Sequence, residues 1–306
     1  MQRYNTFDDY YKSKFKTKVY RLSIDLGFTC PNRDGRISYG GCNFCSEKRI
    51  NSKLITDEET ILSLIKKEDE KITRDHKSLI YLSSFTNTYA RVEDLEKIYN
   101  ACLEYENSVG LIIATRADCL SDDILELLSY ISKNTYLIVE IGMQTVNESS
   151  IRMMNRGYTH SYLKKTLGKL DSLHIKYILH TIIGLEGEKN EDYLNSLKYI
   201  NSTKAIGIKF HNLYIEEGSK LLKKPFEDFI LEKDEYVKIV SNLIGYLKED
   251  IIIHRLCSGP NRDKLIYPKW AGDKARVISS IQKYLKDNDI YQGIFYKGDD
   301  KGEKNN

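Results

Sequence analysis

The sequence predicts an α/β protein whose parallel strands curl into a barrel, complete or partial, around a polar interior. Three observations carry that prediction. Short apolar runs alternate with helical patterns over the first two thirds of the chain, the order that gives a parallel sheet with right-handed crossovers. Several runs are apolar on one side-chain face and polar or glycine on the other, and a polar face is costly in a sheet kept dry on both sides. The 306 residues, 41% hydrophobic and 30% charged, suit two domains or one large barrel. They exclude a disordered chain, a collagen-like repeat and a disulfide-stapled secreted scaffold.

Strands are expected at 19–26, 79–84, 109–114, 136–143, 176–183 and 205–212. In the first, Ser23 and Asp25 oppose Leu22, Ile24 and Leu26. In the fourth, Glu140, Gly142 and Gln144 oppose Val139, Ile141 and Met143. His180 and Gly184 share a face of the fifth, and Gly207, Lys209 and His211 a face of the sixth. Helices fill the gaps. Thr56 opens one, with Glu59 three residues on in a capping-box pattern. Residues 92–106 place Val92, Leu95, Ile98, Tyr99, Cys102 and Leu103 on one helical face. Ser121 precedes a helix whose positive end Asp122 and Asp123 favour, and two more run over 160–173 and 190–203. Beyond about residue 213 the pattern changes. A connector leads to helices near 233–249 and 271–289, with a short strand at 251–257, and the chain ends in a polar tail. No apolar run reaches the roughly 18 residues of a membrane span. The N-terminus lacks the apolar core of a signal peptide, so a cytoplasmic protein with no membrane partner is expected.

Net charge is only +3, but residues 1–53 carry +6 and the remainder −3. Tyr4, Phe7, Tyr10, Tyr11, Phe15 and Tyr20 interleave with the basic residues of that segment. Cations and aromatic rings together suit RNA, by phosphate pairing and base stacking. The alternative is an arm whose aromatics pack on the body.

Six cysteines are unevenly spread, and three fall in the loop TCPNRDGRISYGGCNFC. Eleven residues separate Cys30 from Cys42, and two separate Cys42 from Cys45. Three thiolates on one glycine-rich loop can bind three irons of a 4Fe–4S cluster and leave the fourth open. A zinc knuckle, and with it a non-catalytic zinc-binding interaction module, is the competing reading. It needs a fourth ligand, and the histidine closest in sequence is His76. Cys119 and Cys257 read as small buried residues, with redox-active thiols the alternative, and Cys102 as core.

At these residues the chain resembles the radical S-adenosylmethionine (SAM) enzymes, in particular the YhcC/YtqA-like group related to the Elongator catalytic subunit. The likeness runs from about Tyr20 to Leu285. It includes CPNRDG, SSFTNTYA (83–90), ATRADCL (114–120), EIGMQT (140–145), NRGYTH (155–160), HTIIGLEGE (180–188) and RLCSGPNRDKLIYPKW (255–270). The superfamily's usual cysteine spacing is three and then two, and the long first gap fits this group.

The resemblance implies a partial (β/α)6 TIM-like barrel with a C-terminal α/β extension. The expected divisions are a basic, aromatic segment at 1–18, the barrel at 19–213, the extension at 214–295 and the tail at 296–306. It implies a 4Fe–4S cluster on Cys30, Cys42 and Cys45. SAM, cleaved reductively to a 5′-deoxyadenosyl radical, would abstract hydrogen from substrate. A one-electron donor such as flavodoxin or ferredoxin is the implied partner. By position, Ser84, Thr86 and Asn87 would meet the SAM amino group, although Thr stands where relatives carry glycine. Glu140 and Gln144 would contact the SAM amino acid or ribose, and Arg156 its carboxylate. His180 would lie by the ribose and Gly184 by the adenine. For Glu140, Gln144 and Arg156 the competing reading is an internal hydrogen-bonded network. Lys209, His211 and Tyr89 are weaker candidates facing substrate. The group's link to tRNA makes the expected reaction the trimming of carboxymethylaminomethyl-uridine to aminomethyl-uridine at the wobble position. A radical enzyme acting on a small metabolite is the alternative.

Overall fold

The computed structural model describes residues 2–45 and 53–298. Most of the polar tail expected at 296–306 lies outside them. The chain opens with α1 (Phe7–Phe15) and β1 (Val19–Ile24). Then come α2 (Glu58–Asp69), β2 (Lys77–Leu82), α3 (Val92–Glu104), β3 (Ser108–Thr115), α4 (Asp122–Asn134) and β4 (Tyr136–Gln144). A short α5 (Glu148–Met153) precedes α6 (His160–Ser172), β5 (Tyr177–Ile183), α7 (Asn190–Ser202) and β6 (Gly207–Asn212). The last third holds β7 (Ile215–Glu216), α8 (Lys233–Tyr246), β8 (Ile252–Arg255), β9 (Leu265–Tyr267) and α9 (Lys274–Asp287).

Seven strands form one parallel sheet in the order β1-β2-β3-β4-β5-β6-β8, and β7 pairs antiparallel with β9. The fold is the expected partial barrel, with one strand more. That strand comes from the region expected as a separate extension. Ile252 and Ile253 are buried and pair with Gly207 and Ile208, so β8 covers the open edge of β6. The α2 cap also differs: Asp57, not Thr56, accepts the Thr60 N–H, at 2.9 Å. Among the described residues no helix is long and apolar enough to cross a membrane.

The two faces of the sheet have different jobs. Leu22, Ile24, Ile80, Leu111, Ile113, Val139, Ile141, Leu179, Ile208 and Phe210 face outward into the main core beneath the helices. The inward face is layered. Its floor is apolar: Val19, Leu79, Ile112, Ile138 and Ile178 cluster with Phe7, Tyr11 and Tyr136. The plug is α1, a helix the sequence did not announce. Thr6 caps it and bridges to Ile253, while the fully buried Tyr11 packs on Phe7 (4.3 Å), Tyr136 (5.7 Å) and His254 (5.9 Å). Of the two readings of the N-terminal aromatics, packing on the body is the one these residues follow. Replacing Tyr11 by alanine is expected to destabilise the protein by about 3–5 kcal/mol, the cost of an emptied aromatic site. Urea unfolding measures it. Iron content should not change, since the plug closes the end of the barrel opposite the cysteines.

Candidate active site: a cysteine loop over a basic cavity

The inner face becomes polar toward the C-terminal ends of the strands, where barrels carry their sites. A cavity of about 290 Å³ lies there. Its wall includes Cys30, Cys42 and Cys45 on one side and His180, His211 and Arg255 on the other. Glu140, Gly142 and Gln144 of β4 line it between them, as parity requires.

The cysteine loop follows β1 and is braced by a distant segment. The Asn43 N–H donates to the Met154 carbonyl at 2.9 Å, and its side chain to the Met153 carbonyl at 2.6 Å. Asn155, held at φ 52°, donates to Ser38 Oγ at 2.9 Å and to the Gly41 carbonyl at 3.1 Å. Asn32 reaches the other way, donating to the Asn155 carbonyl at 2.6 Å and to Cys42 Sγ at 3.3 Å. Gly157, at φ 90°, leaves room for that contact, since a Cβ there would stand 3.1 Å from Asn32 Oδ1.

All three cysteines are free thiols. A hydrogen bond from Cys45 brings Cys42 down to about 6 despite its burial, and Arg116 and Asn32 add to the effect. Arg116 Nη1 lies 4.0 Å from Cys42 Sγ, and Asp118 grips its fork at 2.8 and 2.7 Å. A thiolate is what iron binds, and Cys42 is the thiol drawn toward that form; burial raises Cys30, and the bond to Cys42 together with burial raises Cys45. Among the described residues no three His, Cys, Asp or Glu side chains converge on one point as a single metal ion requires. The zinc knuckle therefore gains no support, and what the three thiols share is the wall of one cavity.

Beneath the cavity lies a buried charged layer. Glu140 Oε2 accepts from Lys209 Nζ at 2.6 Å, from Tyr81 Oη at 2.7 Å and from His180 Nε2 at 3.1 Å. Burial alone would raise the Glu140 carboxyl, but Lys209 and His180 hold it well below the usual range. Burial draws Lys209 down to about 7 against the pull of Glu140, and Arg255 and Arg21 add to the fall. His180 and His211 are lowered by burial as well and stay neutral imidazoles. The layer is electropositive: Lys209 pairs with the Glu140 carboxylate, and Arg255 and Arg21 stand near Lys209.

Other expected residues fall differently. Thr86 lines the cavity and hydrogen-bonds Cys30. Ser84 is not among the lining residues; its neighbour Ser83 is, with Oγ 2.6 Å from Ser23 Oγ. Asn87 is buried outside the cavity, donating to the Ala114 carbonyl at 2.9 Å and accepting from Tyr99 Oη at 2.7 Å. It clamps β3 instead of meeting a ligand. Gly184 is also outside: its N–H meets Tyr193 Oη at 3.2 Å, and a Cβ would stand 3.3 Å from Leu231. Tyr89 lines a separate pocket with Arg36 and Cys119. Lys209 is buried under the cavity and lies outside its lining, whereas His211 is part of it. Arg156 spends most of its donors on backbone, reaching the carbonyls of Tyr158 (3.0 Å), Thr145 (3.2 Å) and Met143. Its first role is to hold the end of β4. Tyr81, Arg116, Tyr158 and Arg255 line the site without having been singled out.

The cavity fits a polar ligand held by this donor set. Glu140 Oε1, Gln144 Oε1 and Arg156 Nη2 belong to lining residues and are buried with no hydrogen-bond partner among the described residues. Gln144 is held at φ 60°, a backbone conformation rare outside glycine. A Cβ on Gly142 would stand 2.3 Å from Gln144 Nε2, so glycine there lets the amide fold back over the strand. A carboxylate, an amide and a guanidinium awaiting partners beside three thiols suit a 4Fe–4S cluster with a zwitterionic cofactor such as SAM.

Comparison with known proteins agrees. A family model described as the radical SAM superfamily matches residues 29–200, and one described as the Radical_SAM C-terminal domain matches 205–287. YtqA of Bacillus subtilis is 32% identical over 302 residues, covering 97% of this chain and 94% of that protein. YhcC of Escherichia coli K12 is 29% identical over 290 residues, covering 94% and 93%. Among solved structures, Elp3 of the archaeon Methanocaldococcus infernus superposes with a TM-score of 0.67 at 14% identity. The match covers 90% of this chain and 64% of that one, so the chain spans less than two thirds of Elp3. SuiB of Streptococcus suis, bound to S-adenosylmethionine, superposes with a TM-score of 0.57 at 12% identity, over 82% of this chain and 54% of that one. At such identities these two show the fold alone. The family match spans more than half of the sequence, and nearly all of it aligns with YtqA: the chain belongs to the radical SAM superfamily.

Proposed function

We propose that this radical SAM enzyme modifies tRNA at the wobble uridine, trimming a carboxymethylaminomethyl side chain to aminomethyl, with an electron from a donor such as flavodoxin or ferredoxin. The observation that carries the reading is the outer surface of the cysteine loop, whose Gly41, Cys42 and Cys45 line the cavity. Tyr39 projects from the cysteine loop with 78% of its surface exposed, and Arg36 is exposed on the same loop. Lys220 Nζ ties the carbonyls of Tyr39 (2.8 Å) and Gly41 (3.2 Å), and the exposed Lys223 follows it. An exposed ring among cations, beside a deep basic cavity, suits a base splayed out of a loop with its phosphates held at the surface. In this reading the RNA sits at the cysteine-loop mouth, since the rings of the N-terminal segment fill the barrel floor.

When bound, the reduced cluster and SAM supply the one-electron cleavage that starts hydrogen abstraction. The chain's own residues do the rest. The three thiolates hold the cluster, while Asn32 and Arg116 steady the charge on Cys42. Glu140 and Gln144 orient the cofactor through the oxygens they leave unpartnered. Phe44, Phe85 and Tyr158 wall the cavity and keep water from the reacting atoms.

The test compares modified nucleosides in tRNA from cells with and without the gene, by mass spectrometry. Carboxymethylaminomethyl-uridine should accumulate at the expense of aminomethyl products in the deletion. An unchanged profile, with no salt-dependent binding of tRNA to the purified protein, would turn the reading to a small metabolite.

A further inference from the structure

We propose that the β6–β8 end of the cavity is a substrate subsite for an acidic group with an N–H or O–H donor beside it, an amino-acid-like substituent, read by the Arg255 guanidinium and His211 Nε2. The inference rests on the cavity being the seat of the radical chemistry and names the class of substituent its substrate presents.

The charges that line the cavity do not cancel. Among the described residues Glu140 is the only carboxylate in the lining, and Lys209, Tyr81 and His180 already engage it. At the cysteine end Arg116 is forked by Asp118 and Arg156 is spent largely on carbonyls. Arg255 has no such partner: among the described residues its Nε is buried without a hydrogen bond. It stands in register with Lys209 on the neighbouring strand, which places two cations side by side. Arg255 is half-buried, a guanidinium without a counter-ion there is costly, and an anion carried in by a ligand would offset that cost.

His211 supplies the second half. Ser258 Oγ donates its one hydrogen to the Asn212 carbonyl at 2.8 Å, so it accepts from His211 Nδ1 at 3.3 Å. That fixes the tautomer and leaves Nε2 as a lone-pair acceptor in the cavity wall. Nε2 is buried and unpartnered among the described residues. An acceptor next to an unneutralised guanidinium suits a carboxylate whose own molecule carries a nearby N–H or O–H.

SAM also has an amino-acid end, and the thiols and Arg255 reach the one cavity from different elements. The thiols lie on the loop after β1, at one edge of the sheet, and Arg255 lies on β8 at the other edge. SAM affinity in the Arg255 and His211 variants therefore tells whether these two groups read substrate or the cofactor.

The test uses cluster-loaded enzyme saturated with SAM, with N-methylglycine and acetate as probes in equilibrium titrations. Wild-type protein should bind N-methylglycine saturably below about 100 mM and more tightly than acetate. Arg255→Gln should weaken both probes about tenfold, the scale of one charge-assisted hydrogen bond. His211→Phe should abolish the preference for N-methylglycine and leave acetate within about twofold. SAM affinity should stay within about twofold in both variants. Should the glutamine variant not fold, Arg255→Lys keeps the charge and should lose about threefold on both probes. Absence of saturable binding to wild type, equal binding in the Arg255 variants, or a loss of SAM affinity in place of probe affinity overturns the proposal. The probes contain no RNA, so an unchanged tRNA profile would leave this result standing.

Discussion

Replacing Cys42 by alanine is expected to remove the iron–sulfur cluster and with it all SAM cleavage, while leaving the barrel folded. Iron should fall from about four per chain to less than about one, because two thiolates cannot hold a cube whose fourth iron has no protein ligand. Cys42 is the most informative of the three to replace. It is the thiol drawn down to about 6, by Cys45, Arg116 and Asn32, and so the one most ready to ligate at neutral pH. The braces of its loop do not depend on its sulfur: Asn43 and Asn155 hold the loop through backbone carbonyls. Iron and sulfide analysis after anaerobic reconstitution gives the answer, with far-ultraviolet circular dichroism as the control for folding. A variant that kept four irons and cleaved SAM would remove Cys42 from the ligand set and leave the cavity without its source of radical chemistry.

How much of this was legible in the sequence depends on whether the chemistry was local. The three cysteines share one loop, so their spacing alone gave the donor set. Strand parity gave the inward face of β4, which is why Glu140 and Gln144 line the cavity as expected. Motif position without parity did less well. Ser84 lies one residue past the phase that sends Ser83 inward, and Asn87 turns away to clamp the Ala114 carbonyl. Arg255 was hidden for a specific reason. A register shift between Ile208 and Lys209 lets both His254 and Arg255 serve the barrel interior, which strict alternation forbids. Tyr81 gave no sequence signal, because its partner Glu140 is 59 residues away and only the curled sheet brings them together. The plug helix was equally hidden: its Tyr, Phe and Lys content reads as a nucleic-acid arm until the open barrel floor is seen to need filling.

Replacing Glu140 by glutamine is expected to cost about 3–5 kcal/mol of stability at pH 7, the largest loss from any single side chain of the charged layer. The reason is what remains. Lys209, fully buried, loses its counter-ion, and Arg21 and Arg255 stand near it with no other lining carboxylate among the described residues to offset them. Urea titration of the anaerobic holoprotein measures the loss. Removing both partners together, Glu140→Gln with Lys209→Met, should recover at least half of it, because an apolar chain in place of the ammonium no longer needs a counter-ion. The pH dependence has a defined sign. The folded carboxyl titrates well below its unfolded value of 4.5. Its contribution is therefore complete above about pH 4.5 and is lost as pH falls through the lower folded value. Wild type and Glu140→Gln should differ most between about pH 4.5 and 7, above which Lys209 gives up its proton, and converge on acidification below 4.5. A variant as stable as wild type at pH 7, or a gap that widened in acid, would mean that Lys209 and Glu140 do not meet as an ion pair. The electropositive layer beneath the cavity would then have to be redrawn.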